Sequence, residues 1–242
     1  IPYTVGGERY VTGRAAYLKS KDLKWETAKT TDIGIELGFF NNDLTLSLDY
    51  FVKKNVDLLA QIDLNLSSGQ IFEINSSREK PYVNTASVKN TGWEFMMNYR
   101  KQLTKDFHID ATFNIATLKN KVLSLGENVQ PITSGAMSSY FNDAPSITMP
   151  GEAIGSFYGY KIDGFDAEGN FIFADTDKNG VVNANDKVIL GNPIPDFTYG
   201  LNINMEYKDF DLTVFFQGVQ GNDIFNQKKY TYYFDYSNNV VK

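Results

Sequence analysis

The sequence predicts an all-β protein, a segment of an antiparallel transmembrane β-barrel with long extracellular loops. Apolar and polar residues alternate with a two-residue period along six stretches, as strands with one apolar face require. Those stretches come in pairs closed by very short polar turns. Connections several times longer separate the pairs.

In the first pair, a strand over Thr31 to Phe40 sets Ile33, Ile35, Leu37 and Phe39 on one face and Gly34, Glu36 and Gly38 on the other. After Asn41-Asn42-Asp43 the alternation resumes, with Leu44, Leu46, Leu48 and Tyr50 against Thr45, Ser47 and Asp49. The second pair sets Trp93, Phe95, Met97 and Tyr99 against Glu94, Met96, Asn98 and Arg100. It turns through Gln102 to Asp106 and returns as Phe107, Ile109, Ala111, Phe113 and Ile115, opposite His108, Asp110, Thr112 and Asn114. In the third, Phe197, Tyr199, Leu201, Ile203, Met205 and Tyr207 oppose Thr198, Gly200, Asn202, Asn204 and Glu206. Lys208-Asp209 turns the chain into Phe210, Leu212, Val214 and Phe216, opposite Asp211, Thr213 and Gln217.

A soluble β-sandwich also has one apolar face, so connection length separates the two folds. Sandwiches place turn signals every eight to twelve residues or so, whereas here the stretches from about 52 to 90 and from about 117 to 195 lie between tightly turned pairs. Short turns at one end and long loops at the other are the layout of an outer-membrane barrel, and strands of roughly nine to eleven residues suffice to cross. The mean hydropathy of -0.32 excludes a bundle of membrane helices and suits a polar lumen. Aromatics reach 14%, and Phe39, Phe40, Tyr50, Tyr99, Phe107, Tyr207 and Phe210 fall near strand ends, where barrels carry interfacial girdles. Residues 1–242 read as one partial domain of a larger barrel, because six strands are fewer than the roughly eight of the smallest membrane barrels. No secretory leader is legible, and Val240-Val241-Lys242 carries no strand signal.

Within the long region 117–195, residues 175–186 form the second strong pattern. Asp175, Asp177, Asn179, Asn183 and Asp186 place oxygen side chains at positions 1, 3, 5, 9 and 12 of a calcium-type loop; Gly180 stands at position 6 and Val181 offers its carbonyl at position 7. Ca²⁺ takes six to eight hard oxygens or so, and the glycine permits the sharp turn around one ion. Asp186 stands where a longer Glu is usual, so the expected affinity is on the order of 10⁻⁴ to 10⁻³ M. Phe171-Ile172-Phe173 and Val188-Ile189-Leu190 flank the loop in place of helices, which makes the expected ion a structural staple.

Enzyme chemistry has little to stand on. The chain has 1 His, His108, and 0 Cys, so thiol catalysis and His- or Cys-ligated metals lack partners. No phosphate-binding loop, nucleophile elbow or dinucleotide fingerprint is present. The net charge of -6 argues against a nucleic-acid partner.

Several segments resemble the SusC/RagA family of TonB-dependent outer-membrane transporters. They are Asp22-Leu23-Lys24-Trp25-Glu26-Thr27 running into Ile33 to Phe40, Asn90-Thr91-Gly92-Trp93-Glu94, Gly155-Ser156-Phe157-Tyr158-Gly159-Tyr160, the Asp-x-Asp-x-Asn-Gly loop, Gly191 to Gly200 and Gln217 to Ile224. The resemblance implies a plugged 22-stranded barrel in the bacterial outer membrane that imports oligosaccharides or oligopeptides, with a SusD-like surface lipoprotein as lid and the TonB complex as motor; against that family pattern residues 1–242 match a middle-to-late section of the barrel, without the plug domain. Membrane lipid is the remaining expected partner. The alternative is a soluble, calcium-stapled, carbohydrate-binding β-module, whose support is the aromatic run Tyr230, Tyr232, Tyr233, Phe234 and Tyr236.

Overall fold

A computed structural model describes residues 2–5, 8–11, 23–61, 82–126, 129–135 and 144–229. Strands β1 (Pro2–Val5) and β2 (Glu8–Val11) form a two-stranded ribbon. The body of the protein is one antiparallel sheet built from β3 (Thr27–Phe39), β4 (Leu44–Gln61), β5 (Tyr82–Thr104), β6 (Phe107–Thr117) and β7 (Lys119–Ser124). Between β7 and the last two strands come β8 (Ile132–Ser134), β9 (Ser146–Thr148), β10 (Ser156–Tyr160), β11 (Ile162–Phe165), β12 (Phe171–Phe173) and β13 (Lys187–Gly191). The body sheet then closes with β14 (Phe197–Tyr207) and β15 (Phe210–Gln220), in the order β15-β14-β6-β5-β4-β3, with β7 paired to β5.

The three expected hairpins form in the register that alternation sets: Leu37 faces Leu46, Met97 faces Phe113 and Ile203 faces Val214. Strand β6 also pairs with β14, so the hairpins join into a continuous meander. Their short turns lie on one rim and are tied together through the backbone, Arg100 N–H donating to the Asp43 carbonyl at 2.8 Å and Lys208 N–H to the Asp106 carbonyl at 2.9 Å. Two boundaries differ from expectation. Phe40 belongs to the first turn, with φ 54°, and the second turn is only Lys105-Asp106, because a register shift between Gln102 and Thr104 lets β5 run on to Thr104.

Strand length is the larger correction. β3, β4 and β5 have 13, 18 and 23 residues, beyond the nine to eleven or so that cross a membrane. The pairing of β4 with β5 continues through Lys54 opposite Lys89 to Gln61 opposite Tyr82. Backbone hydrogen bonds carry a ladder past the bilayer without an apolar face, so residues with no hydrophobic period still form strand there. Residues 52–61 and 82–90 are therefore sheet, and the segment 62–81 lies outside the described residues. The described residues of 117–195 also form strands: β7 extends the line of β6, β13-β10-β9-β8 make a four-stranded sheet, and β11 and β12 a hairpin.

One face of the body sheet is apolar and uncovered. Ile33, Ile35, Leu37, Phe39, Phe210, Leu212 and Phe216 are all exposed. Among the described residues the buried apolar side chains are Ala86, Val88, Val122, Ile147 and Ala153, all of them outside the hairpin cores. A water-soluble module would not leave this stripe open; lipid is the phase that covers it. On the other face polar side chains pair across strands: Thr112 donates to Asn98 at 2.8 Å, Thr213 donates to Asn204 at 2.9 Å, and Arg100 meets Asp110 at 2.7 Å. Aromatics mark both edges of the apolar band. Phe107 and Tyr207 touch edge to face at 6.2 Å near the turns, and Tyr50 and Trp93 lie 4.7 Å apart at the far edge. From Tyr207 to Tyr199, strand β14 rises by about 26 Å, or roughly 20 Å along a membrane normal at ~40° tilt, close to the usual apolar band.

Ile203 stands midway along this band. In the intact barrel, Ile203→Arg is expected to cost roughly 2 to 4 kcal/mol of stability, while Asn202→Ser on the lumenal face leaves stability nearly unchanged. Reversible urea unfolding in lipid vesicles measures both, and equal costs would contradict the assignment of faces.

Candidate functional site

The loop between β12 and β13 is built from side-chain hydrogen bonds to its own backbone. Asp175 Oδ1 accepts from Asn179 N–H at 3.1 Å and Asp175 Oδ2 from Gly180 N–H at 2.7 Å. Asp177 Oδ1 also accepts from Asn179 N–H, and its Oδ2 from the Asn179 side-chain amide at 2.8 Å. Lys178 at φ 59° and Gly180 at φ 86° turn the chain sharply enough to aim these groups inward. Asn183 caps the 3₁₀ turn Ala184–Asp186: its Oδ1 accepts from Asn185 N–H at 2.9 Å, while Asp186 Oδ2 accepts from Asn183 N–H at 2.8 Å.

Asp186 is the hub. It has no exposed surface, and its Oδ1 accepts from Thr176 N–H at 2.7 Å, from the Thr176 hydroxyl at 3.3 Å and from Asp177 N–H at 3.3 Å. The hydrogen bond from Asn183 N–H is the main reason that its carboxyl is held below the usual range; loss of hydration opposes that shift, and the bonds from Asp177 and Thr176 reinforce it. The sequence pattern marks Asp186 as a candidate ligand, but not as the scaffold that draws Thr176, Asp177 and Asn183 together. Thr176 carries no signal of its own, because its contribution is chiefly a backbone N–H.

Carboxylate oxygens of Asp175, Asp177 and Asp186 lie within 4.8 Å of one another. Oxygens about 2.3 to 2.6 Å from a single Ca²⁺ stand at such separations, so this donor set fits the ion. Asn179 Oδ1 accepts from Val181 N–H at 2.8 Å, and the Asn183 side-chain amide donates to the Val181 carbonyl at 3.1 Å. Each of these oxygens retains a second lone pair. His108 stands elsewhere, opposite Gln102 and Glu206 on the polar face. The run from Tyr230 to Tyr236 lies outside the described residues.

Comparison with known proteins identifies the frame that carries this loop. The family model described as TonB dependent receptor-like, beta-barrel, matches residues 3–242. The chain belongs to that family. It is 36% identical over 241 residues to TonB-dependent receptor P3 of Formosa agariphila, covering 93% of this chain and 23% of that relative. It is also 30% identical over 225 residues to TonB-dependent receptor SusC of Bacteroides thetaiotaomicron, covering 87% of this chain and 21% of SusC. Among solved structures, the RagAB peptide transporter matches with a TM-score of 0.65 and 21% identity over 86% of this chain and 22% of that one. The chain thus spans less than a quarter of the length of these TonB-dependent receptors, and it is a segment of an outer-membrane β-barrel. The SusC/RagA resemblance read from the sequence holds.

Because Asp186 is stabilised as a carboxylate, its contribution to the loop is complete above its unfolded pKa of about 3.9 and is lost as pH falls through its lower folded value. Hydrogen exchange at the Thr176, Asp177 and Asn183 amides is expected to stay slow at neutral pH and to lose protection only in that acid window. Asp186→Ala removes the protection at every pH. Protection that persists in the variant would show that another acceptor holds these amides.

Proposed function

We propose that this chain forms part of the wall and outer rim of a TonB-dependent importer. In this reading the complete protein takes up oligosaccharides or oligopeptides with a SusD-like lipoprotein as lid, and segments beyond this chain couple it to the TonB complex. The observation that carries the reading is the seven-stranded sheet, apolar and exposed on one face and polar on the other, in a chain of the TonB-dependent receptor family. Two relatives give it content: SusC bears a receptor name, and RagAB is a peptide transporter.

The shared rim of the three short turns supports an orientation. In this reading the turns face the periplasm, as short turns do in bacterial barrels, and the region 117–195 lies outside the cell as part of the surface that meets the lid. In cells producing the complete transporter, a membrane-impermeant thiol reagent is expected to label Glu168→Cys on intact cells and Lys105→Cys only after permeabilisation. Removing the β11–β12 hairpin from a correctly inserted barrel is expected to weaken co-purification of the lipoprotein and uptake of labelled cargo. Undiminished capture of the lid would take this region out of the interface.

Calcium is the second part of the proposal. Asp175, Asp177 and Asp186 would hold one Ca²⁺ with help from the Asn179, Asn183 and Val181 oxygens, and the ion would supply charge compensation for three clustered carboxylates. Chelation should raise protease cleavage between residues 170 and 190 and leave the barrel folded. Asp175→Ala combined with Asp177→Ala should give the same cleavage, unrelieved by excess calcium. If chelation leaves wild-type cleavage unchanged, the loop stands on its hydrogen bonds alone.

A further inference from the structure

Just beyond the apolar band, on the lipid-facing side of the wall, four lysines stand opposite one another on four neighbouring strands. Lys29 of β3 pairs with Lys54 of β4, Lys54 with Lys89 of β5, and Lys89 with Lys121 of β7. Each shares its face with the lipid-facing residues of its own strand: Lys29 with Ile33, Lys54 with Tyr50, Lys89 with Trp93. Lys119 adds a fifth cation one step lower, opposite Thr91. Facing Cβ atoms in such pairs lie about 5 Å apart, and like charges there weaken a sheet.

The rest of the wall sorts its charges the other way. The membrane-level carboxylates Asp32, Glu36, Asp49, Glu94, Asp110 and Glu206 all fall on the lumenal face, as the registers show. Among the described residues no ion pair joins any of the five lysines to a carboxylate. The chain as a whole carries a net charge of -6, so a row made only of lysine is not a product of bulk composition.

Height in the membrane selects the partner. Lys54 and Lys89 lie four residues beyond the tilted aromatic pair Tyr50 and Trp93, about 13 Å along the strands and roughly 10 Å along the normal, at the level of lipid headgroups. The row ends at a recess of about 720 Å³ whose lining includes Tyr50, Trp93, Lys119 and Lys121 together with Glu152 and Asp196. We propose that the row Lys29-Lys54-Lys89-Lys121 binds the phosphate groups of an anionic lipid in the outer leaflet, phosphate oxygens bridging neighbouring lysines and removing their mutual repulsion. The inference rests on the orientation given under Proposed function, with the long connections outside. A protein partner is disfavoured because the lysines point along the plane of the membrane and away from the lumen.

The complete transporter, purified in mild detergent and titrated with diphosphorylated lipid A, tests this by native mass spectrometry in a way that does not depend on orientation. The quadruple variant Lys29→Gln, Lys54→Gln, Lys89→Gln and Lys121→Gln is expected to bind roughly several hundredfold more weakly, each lysine contributing about fivefold. Replacing the four by Arg should preserve binding, and dephosphorylated lipid A should not distinguish wild type from variant. Folding is checked by the mobility of unheated protein in electrophoresis; should the quadruple variant fail that check, the four single Gln variants are read by the same criterion. Equal affinity of wild type and Gln variants overturns the proposal. So does displacement of the lipid by an equimolar amount of inorganic phosphate, or loss of the lipoprotein lid from the variant with lipid binding intact. Because the thiol-labelling experiment reports orientation separately, a failure here leaves that reading standing or falling on its own result.

Discussion

The constraint on which the rest depends is that a backbone polar group left unpaired in hydrocarbon costs several kcal/mol. A chain meeting this constraint with strands must give each strand a partner on both sides. β4, β6 and β14 have two partners each and β5 has three, β4 on one side and β6 then β7 on the other, whereas β3 pairs only with β4 and β15 only with β14 among the described residues. Those two outer edges are the places where the remaining strands of the barrel add. Once the ladder exists, its two-residue period assigns every side chain to lipid or lumen. A one-residue slip would exchange the two faces of a strand. Cross-strand pairs such as Asn98 with Thr112 and Asn204 with Thr213 reinforce the register on the lumenal side, where water would otherwise compete for the same groups.

Much of this wall is legible in the sequence because lipid demands a strict pattern. All three hairpins, their registers and the assignment of faces follow from positions such as Leu46, Met97 and Ile203, where burial in hydrocarbon makes a polar residue expensive. What stays hidden is the part of the sheet outside the bilayer. Lys53, Lys54 and Asn55 show no apolar period, yet they pair with Asn90, Lys89 and Val88 because backbone bonding needs none. The order β13-β10-β9-β8 is hidden for a similar reason: its strands are three to five residues long and are set by contacts distant in sequence.

The acidic loop shows the same division. Spacing identifies Asp175, Asp177, Asn179, Asn183 and Asp186 as a set, because ligand types at fixed offsets are a local property. Spacing does not reveal that Asp186 is buried and holds three backbone amides, since that depends on how β12 and β13 bring the two ends of the loop together. The same carboxylate thus organises the loop and belongs to its candidate donor set. Asp175 and Asp177 share this double character in a less buried form, since they too accept the N–H groups of the turn at Asn179 and Gly180.

The pairing of β6 with β14 shapes the order of assembly. The hairpins close across two to four residues, but joining Thr117 to Phe197 spans some eighty, an added loop-closure cost of roughly 3 kcal/mol if the intervening chain were loose. That chain is not loose. Its own four-stranded sheet, the bond from Leu118 N–H to the Asp196 carbonyl and the docking of Val122 against Gly151 and Glu152 bring the two ends to within one hydrogen bond of each other. Structure formed in this segment turns a distant strand pairing into a nearly local one, so the third hairpin reaches its place in the wall as if it followed the second directly.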